Sequence, residues 1–363
     1  VVSDLRPLVG GPDEESRARP WPRPQVVLPH THPTGPAVPM IDVHNHLGRW
    51  LSADGTFLGG EPGDLVALMD RLHLETVVNL DGRWGEELDA NVARFDAVLG
   101  DRVQTFCHVD WDLLGLGDAA SPECHARLEA LMADSASRGA KGVKVWKDLG
   151  LTTRDATGAL VLPDDPRVVT ALRAAGDLGL PVLIHTADPV AFFEPLDETN
   201  ERFDELSECP DWWFGGEGMP TFQQLIDALH RLVGACPGTT FVGAHVGGHA
   251  EDLGAVGRAL AALPNFHVDT AGRLGEVGRQ PRAFRALVEA FPDRVVWGSD
   301  CFPIDEDAIA VWWRFLETAD EHFDYGVEGE APGQGNWRIS AADLPPALLP
   351  GLYHDNAARI LGL

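Results

Sequence analysis

The chain has 363 residues, 44% hydrophobic and 23% charged, the make-up of a globular protein with a large core. Its 56 acidic residues outnumber 28 Lys plus Arg, for a formal net charge of -28. That argues against nucleic acid as a partner but leaves room for an anionic substrate in a local basic pocket. No run of 18 apolar residues offers a membrane span.

Residues 1–38 are rich in Pro, Arg, Asp and Glu and lack apolar periodicity. They are expected to form an extended N-terminal arm, laid on the body or on a partner subunit of a homodimer. The arm holds a His-x-His, His30-Thr31-His32, flanked by Pro29 and Pro33. Proline on both sides argues against a packed central strand, so this pair is read as a decoy.

From residue 39 onward the pattern alternates. Strands are expected at 40–46, 75–80, 103–109, 141–146, 181–186, 239–245, 265–270 and 294–300. Helical spacing fills the gaps, about 62–73, 85–99, 122–138, 166–178, 221–235, 249–262, 281–291 and 305–323. Leu65, Leu68, Met69 and Leu72 show the stripe of an amphipathic helix. Eight strand–helix units predict an α/β chain folded as a (β/α)₈ TIM barrel over residues 39–363. An open doubly wound sheet would usually carry a Gly-rich turn after its first strand; His44-Asn45-His46-Leu47-Gly48 stands there instead.

Two βα connections are long, 147–165 and 187–220. The second carries Phe192, Phe193, Trp212, Trp213 and Phe214 and reads as a lid or a subunit contact over the barrel mouth. Five cysteines, Cys107, Cys124, Cys209, Cys236 and Cys301, form no C-x-x-C pair. With no charged-then-apolar leader after Val1, a reducing, cytoplasmic setting is expected.

Chemistry-bearing residues fall at the C-terminal ends of the expected strands. His44 and His46 are two apart on the first strand and so share a face, with Asp42 on the same face as their orienter. His185 ends the fifth strand, His245 the sixth and Asp300 the eighth. Three or more imidazoles plus a carboxylate, with room for water, make a catalytic divalent-metal site.

These stretches resemble the amidohydrolase superfamily, in particular its amidohydrolase-related branch of metal-dependent hydrolases and nonoxidative decarboxylases. The matching segments are Ile41–Leu47, Leu180–Thr186, Gly243–Gly248, Val296–Asp300 and Asp355–Leu361. The resemblance implies that His44, His46, His185 and Asp300 hold a divalent metal, most often zinc, sometimes manganese. It also implies that His245 is an acid/base or polarising residue.

A divalent ion brings the pKa of bound water toward ~7. Asp300 can then accept a proton and hand it on, while His245 polarises a carbonyl or serves a leaving group. The expected activity is hydrolysis of a small carboxylated, lactone or amide-like molecule. The alternative is nonoxidative decarboxylation, with Asp300 or His245 protonating carbon. Lys144 points inward on the fourth strand if Val143 and Val145 face the helices, and Arg49 and Arg273 sit in mouth loops. These three are the candidates for holding an anionic substrate. A single metal is expected, against a rival in which a carbamylated Lys144 bridges two.

Overall fold

A computed structural model describes residues 21–363, apart from Asp118 and Glu328. One parallel sheet runs in the order β1 to β8. The strands are β1 Met40–Asn45, β2 Leu74–Asn79, β3 Val103–His108, β4 Gly142–Val145, β5 Val182–Ile184, β6 Phe241–Gly243, β7 Phe266–Asp269 and β8 Val295–Val296. Helices follow each strand, as the 3.6-residue stripes predict: Pro62–Arg71, Gly85–Arg94, Pro122–Ser137, Pro166–Asp177, Phe222–Ala235, Leu253–Ala262, Pro281–Ala290 and Glu306–Glu317. Local chemistry sets their starts. Pro occupies the first turn of four of them. Asp165, Asp252 and Asp305 accept from first-turn amides, and Thr221 with Gln224 closes a capping box.

The core has two layers. An inner cluster, with Ile41, Val78, Phe106, Leu183, Val242 and Val296, fills the barrel. A larger outer cluster packs strand residues such as Val143, Val145, Val182 and Phe266 against the helices. Helix Asn356–Leu361 packs on the inner cluster through Ala357. Asn356 ties it to the eighth strand by donating to the Pro292 and Val295 carbonyls at 2.8 and 2.9 Å.

The barrel is nearly closed. β8 and β1 meet through Val43 N–Trp297 O at 3.3 Å and Asp300 N–His44 O at 2.8 Å. Asp42 completes this seam. It accepts from the Ser299 amide at 2.9 Å and from the Ser299 hydroxyl at 2.5 Å. Asp42 therefore holds backbone rather than orienting the imidazoles, contrary to the sequence reading. The cause is register: the β1–β2 pairing shifts between Asp42 and Asn45, so strict alternation does not run through to His44.

β5, β6 and β8 are shorter than the apolar runs suggest. Their last residues leave the ladder to build the mouth. Residues 187–220 form three short helical turns, Val190–Phe193, Phe203–Glu208 and Pro210–Trp212. They are anchored by Arg202, which is 1% exposed and pairs with Glu205 at 2.8 Å and with Glu276.

Of the expected arm, residues 1–20 lie outside the described residues, and 21–38 carry no helix or strand. Thr31 donates to Asp320 from both its amide and its hydroxyl, at 2.7 and 2.8 Å. His30 and His32 are exposed, their rings 4.3 Å apart. No helix among the described residues is long and apolar enough to cross a membrane. All five cysteines are free.

Candidate metal centre

The strand ends bring imidazoles and carboxylates to one side of the mouth. His44 leaves β1 with Nδ1 2.8 Å from Asp269 Oδ2 at the end of β7. His46 has Nδ1 2.8 Å from Asp81 Oδ1, just beyond β2. A carboxylate behind each Nδ1 fixes the ring and turns Nε2 toward the mouth. There the Nε2 atoms of His44 and His46 lie 3.7 and 3.5 Å from Asp300 Oδ1. Lys144 on β4 is 1% exposed, with Nζ 3.2 Å from His44 Nε2. An ammonium only donates, so His44 Nε2 accepts and its proton sits on Nδ1, facing Asp269.

His245 and Asp300 stand on unusual backbone. His245 lies two residues beyond β6 and Asp300 four beyond β8. His245 and Val246 have φ of 59° and 60°, and Asp300 has 56°. Each such left-handed residue costs about 1–2 kcal/mol, and such costs concentrate at functional sites. The turn is stabilised by Asp269, whose Oδ1 accepts the His245 amide at 2.7 Å. Gly248, at φ 74°, lies against the Thr186 carbonyl, where an added Cβ would come within 2.5 Å. Two signals thus coincide in Gly243–Gly248: glycines where the chain must turn left-handed, and a histidine aimed inward.

The His245 ring is fixed by Ala271. Its Nδ1 lies 2.8 Å from that carbonyl, which can only accept, so Nε2 carries the lone pair. That lone pair faces His185 Nδ1 at 3.3 Å. His185 Nε2 is buried without a hydrogen-bond partner, Asp188 Oδ1 standing 3.5 Å away. With its proton turned toward Asp188, His185 would set a second lone pair against that of His245, a juxtaposition that calls for a cation.

Burial dominates the electrostatics. It lowers the proton affinity of His44, and Lys144 adds to this. Burial pushes His245 well below the ordinary histidine range and His185 down to about 4. These three rings are therefore neutral and able to donate lone pairs at pH 7. Burial also works on His46, but Asp81 and Asp300 outweigh it and raise its proton affinity. For Asp300 burial is overcome by His44, His46 and Lys144, which hold its carboxyl well below the usual range. Burial brings Lys144 down to about 8.

This donor set fits a divalent ion. Among the described residues, donor atoms of His44, His245 and Asp300 all lie within 4.8 Å of one another, and His46 reaches Asp300 from the other side. His185 adjoins His245 rather than entering that group, so His245 stands nearer to His44 and Asp300 than the fifth-strand histidine does.

The three basic candidates separate. Lys144 lies among the donors, one residue before the end of β4. Arg273 follows Gly272, whose Cα side faces Asp300 and His245, and its charge acts on His245. It has no ion-pair partner among the described residues. Arg49, by contrast, is exposed and bidentate on Glu87, with bonds of 2.9 and 2.7 Å. It is spent on that pair, because its loop turns outward after Gly48.

Beside the imidazoles opens a cavity of about 620 Å³. Its walls include Trp50, Trp84, Trp146, Trp212 and Phe214, with Lys144 and Arg83 among the polar lining. Trp212 and Phe214 thus bring part of the 187–220 segment onto this cavity. Lys147, also on the wall, is bound to Asp188 at 2.5 Å. The sequence reading missed Asp81 and Arg83; Asp269 alone carried a signal, as an acid at the end of an expected strand.

A family model described as amidohydrolase matches residues 41–363. Among curated protein sequences none matches. Among solved structures, the chain is similar to a 2,6-dihydroxybenzoate decarboxylase complexed with 2,6-dihydroxybenzoate, at 14% identity and TM-score 0.53, covering 90% of this chain and 100% of that one. It is similar to a dihydroxybenzoic acid decarboxylase from Polaromonas sp. JS666 with bound manganese and the inhibitor 2-nitroresorcinol, at 14% identity and TM-score 0.55, covering 90% and 97%. An amidohydrolase from Burkholderia multivorans with bound zinc gives 15% identity and TM-score 0.51, covering 90% and 100%. At these identities the likeness is one of fold.

Proposed function

The chain belongs to the amidohydrolase family, and from that premise we propose that it is a metal-dependent nonoxidative decarboxylase of a small ring-borne carboxylic acid. The metal, manganese or zinc, would be held by His44, His46 and Asp300 with His185 or His245. When bound it would supply a Lewis acid for a substrate oxygen. The observation that carries the reading is Lys144: a buried ammonium beside the donor set, at the edge of an aromatic-walled cavity. A cation there suits a substrate that arrives as an anion, and the Trp and Phe walls suit a flat ring. Manganese- and ligand-bound decarboxylases of the same fold support it further.

Each residue then has a task. Lys144 and Arg273 draw in and neutralise the carboxylate. As the bond from ring carbon to carboxyl breaks, its electron pair stays on the carbon and carbon dioxide departs. Asp300 and His245 Nε2 are the two groups placed to relay the replacing proton: both rest unprotonated there, so a proton is first taken from water, leaving hydroxide, and then passed to that carbon. Asp81 and Asp269 keep the His46 and His44 rings turned toward the site.

A second reading is hydrolysis of a lactone or amide-like bond, favoured by the ionised Asp300, which suits proton abstraction from water. Reconstituting the protein with manganese or zinc and assaying hydroxybenzoates and lactones for carbon dioxide tests the first reading. Release that stops on chelation and returns with metal is expected. Ring opening of a lactone without carbon dioxide from any acid would replace the first reading with the second.

A further inference from the structure

Arg83 carries no hydrogen bond or ion pair through its side chain among the described residues, although it lines a cavity with acidic neighbours. Asp110 and Asp148 act on its charge from beyond ion-pair distance. Its guanidinium lies over the rings of Trp50 and Trp84, 4.8 and 4.2 Å from their centroids. The other cations of this cavity wall are engaged. Lys144 adjoins His44, Lys147 is on Asp188, and Arg154 donates to the Gly158 carbonyl.

The backbone makes the position more telling. Arg83 has φ of 55°, a conformation glycine adopts at no steric cost. It is pinned there from both sides: Gly82 N donates to Phe106 O at 3.0 Å, and His108 N donates to Arg83 O at 2.8 Å. The chain thus keeps an arginine where its backbone is strained, sets it over two indoles and leaves its donors unspent. Stacking holds a guanidinium in a fixed plane, and its edge offers the paired N–H groups that match a carboxylate.

We infer that Arg83 is a specificity-determining residue that binds a second anionic group of the substrate, a carboxylate on a planar ring, at the part of the cavity bounded by Trp50 and Trp84. The inference rests on the decarboxylase reading for its ring-acid substrate class, and not on turnover. One carboxylate meets the side of Lys144 and the donor set; the other meets Arg83. Arg83 here is a binding group and takes no part in proton transfer.

The test is equilibrium binding to metal-loaded protein, with benzoate and the three benzenedicarboxylates (1,2, 1,3 and 1,4) as probes, read by calorimetry. At least one diacid is expected to bind roughly 10–100-fold tighter than benzoate, the range for a charge-assisted hydrogen-bonded pair. Arg83→Gln should erase that preference and leave benzoate binding unchanged, and Arg83→Lys should restore part of it. A preference that survives Arg83→Gln, or no preference in the parent protein, overturns the inference. So does an equal loss of benzoate and diacid affinity in Arg83→Gln, which would mean that Arg83 only builds the wall. Diacid preference lost in Arg83→Gln, with no carbon dioxide from any acid, would sink the decarboxylase reading and leave this one standing.

Discussion

The mouth has two halves that solve opposite problems. On the imidazole half three rings are placed by a neighbour: Asp269 for His44, Asp81 for His46, Ala271 for His245. Side chains there are buried and backbone strain is tolerated. On the aromatic half, over the ends of β2 to β4, rings form a wide wall and Arg83 is left with unspent donors. The difference teaches where the interactions are already made and where they await a ligand. On the proposed reading the first half is preorganised for an ion and the second for a molecule.

Breaking the imidazole half should have the largest effect. His44→Ala removes a proposed metal donor and the acceptor of Lys144. Metal content per chain, measured by atomic emission, should fall close to zero, with activity down at least ~10³-fold. Full metal and full activity would remove His44 from the ligand set. A milder cut goes behind the ring: Asp81→Asn or Asp269→Asn should weaken metal affinity about 10–100-fold while keeping the fold. Metal-buffered titration checks this, and unchanged affinity would make those carboxylates purely structural.

The aromatic half should respond differently. Trp212→Ala is expected to raise KM roughly 2–10-fold with kcat nearly constant, since it removes ring contact rather than chemistry. Loss confined to kcat would erase the distinction between the halves.

The smallest effect concerns the anchor of the 187–220 segment. Burial raises the Glu205 carboxyl to about 7, its partner Arg202 being already matched by Glu276. A carboxyl raised in the folded state favours folding while protonated. Its contribution is full below its ordinary value near 4.5 and is lost as pH rises through about 7. Tm should therefore drop by a few degrees between pH 5 and pH 8, and Glu205→Gln should flatten that slope. An identical slope in both proteins would count against it.

The fold was legible because apolar period is a local property. The eight expected strands and eight helices all appear, with ends that differ by up to six residues. The candidate residues His44, His46, His245, Asp300 and Lys144 were legible as polar residues at or near strand exits. What escaped depends on tertiary register. Asp42 was assigned to the wrong task because the β1–β2 ladder shifts. Arg49 pairs with Glu87, a partner 38 residues away that no motif announces. Asp81 matters only because β2 lies beside β1, and Arg83 only because Trp50 and Trp84 close around it.

The most direct test of decarboxylation follows a carboxyl-labelled acid that the metal-loaded protein consumes, in water enriched in oxygen-18 and deuterium, by mass spectrometry. The account predicts labelled carbon dioxide, one deuterium on the carbon that lost the carboxyl group, and no oxygen-18 in the organic product. An organic product that keeps its carboxyl label and gains oxygen-18 would contradict it.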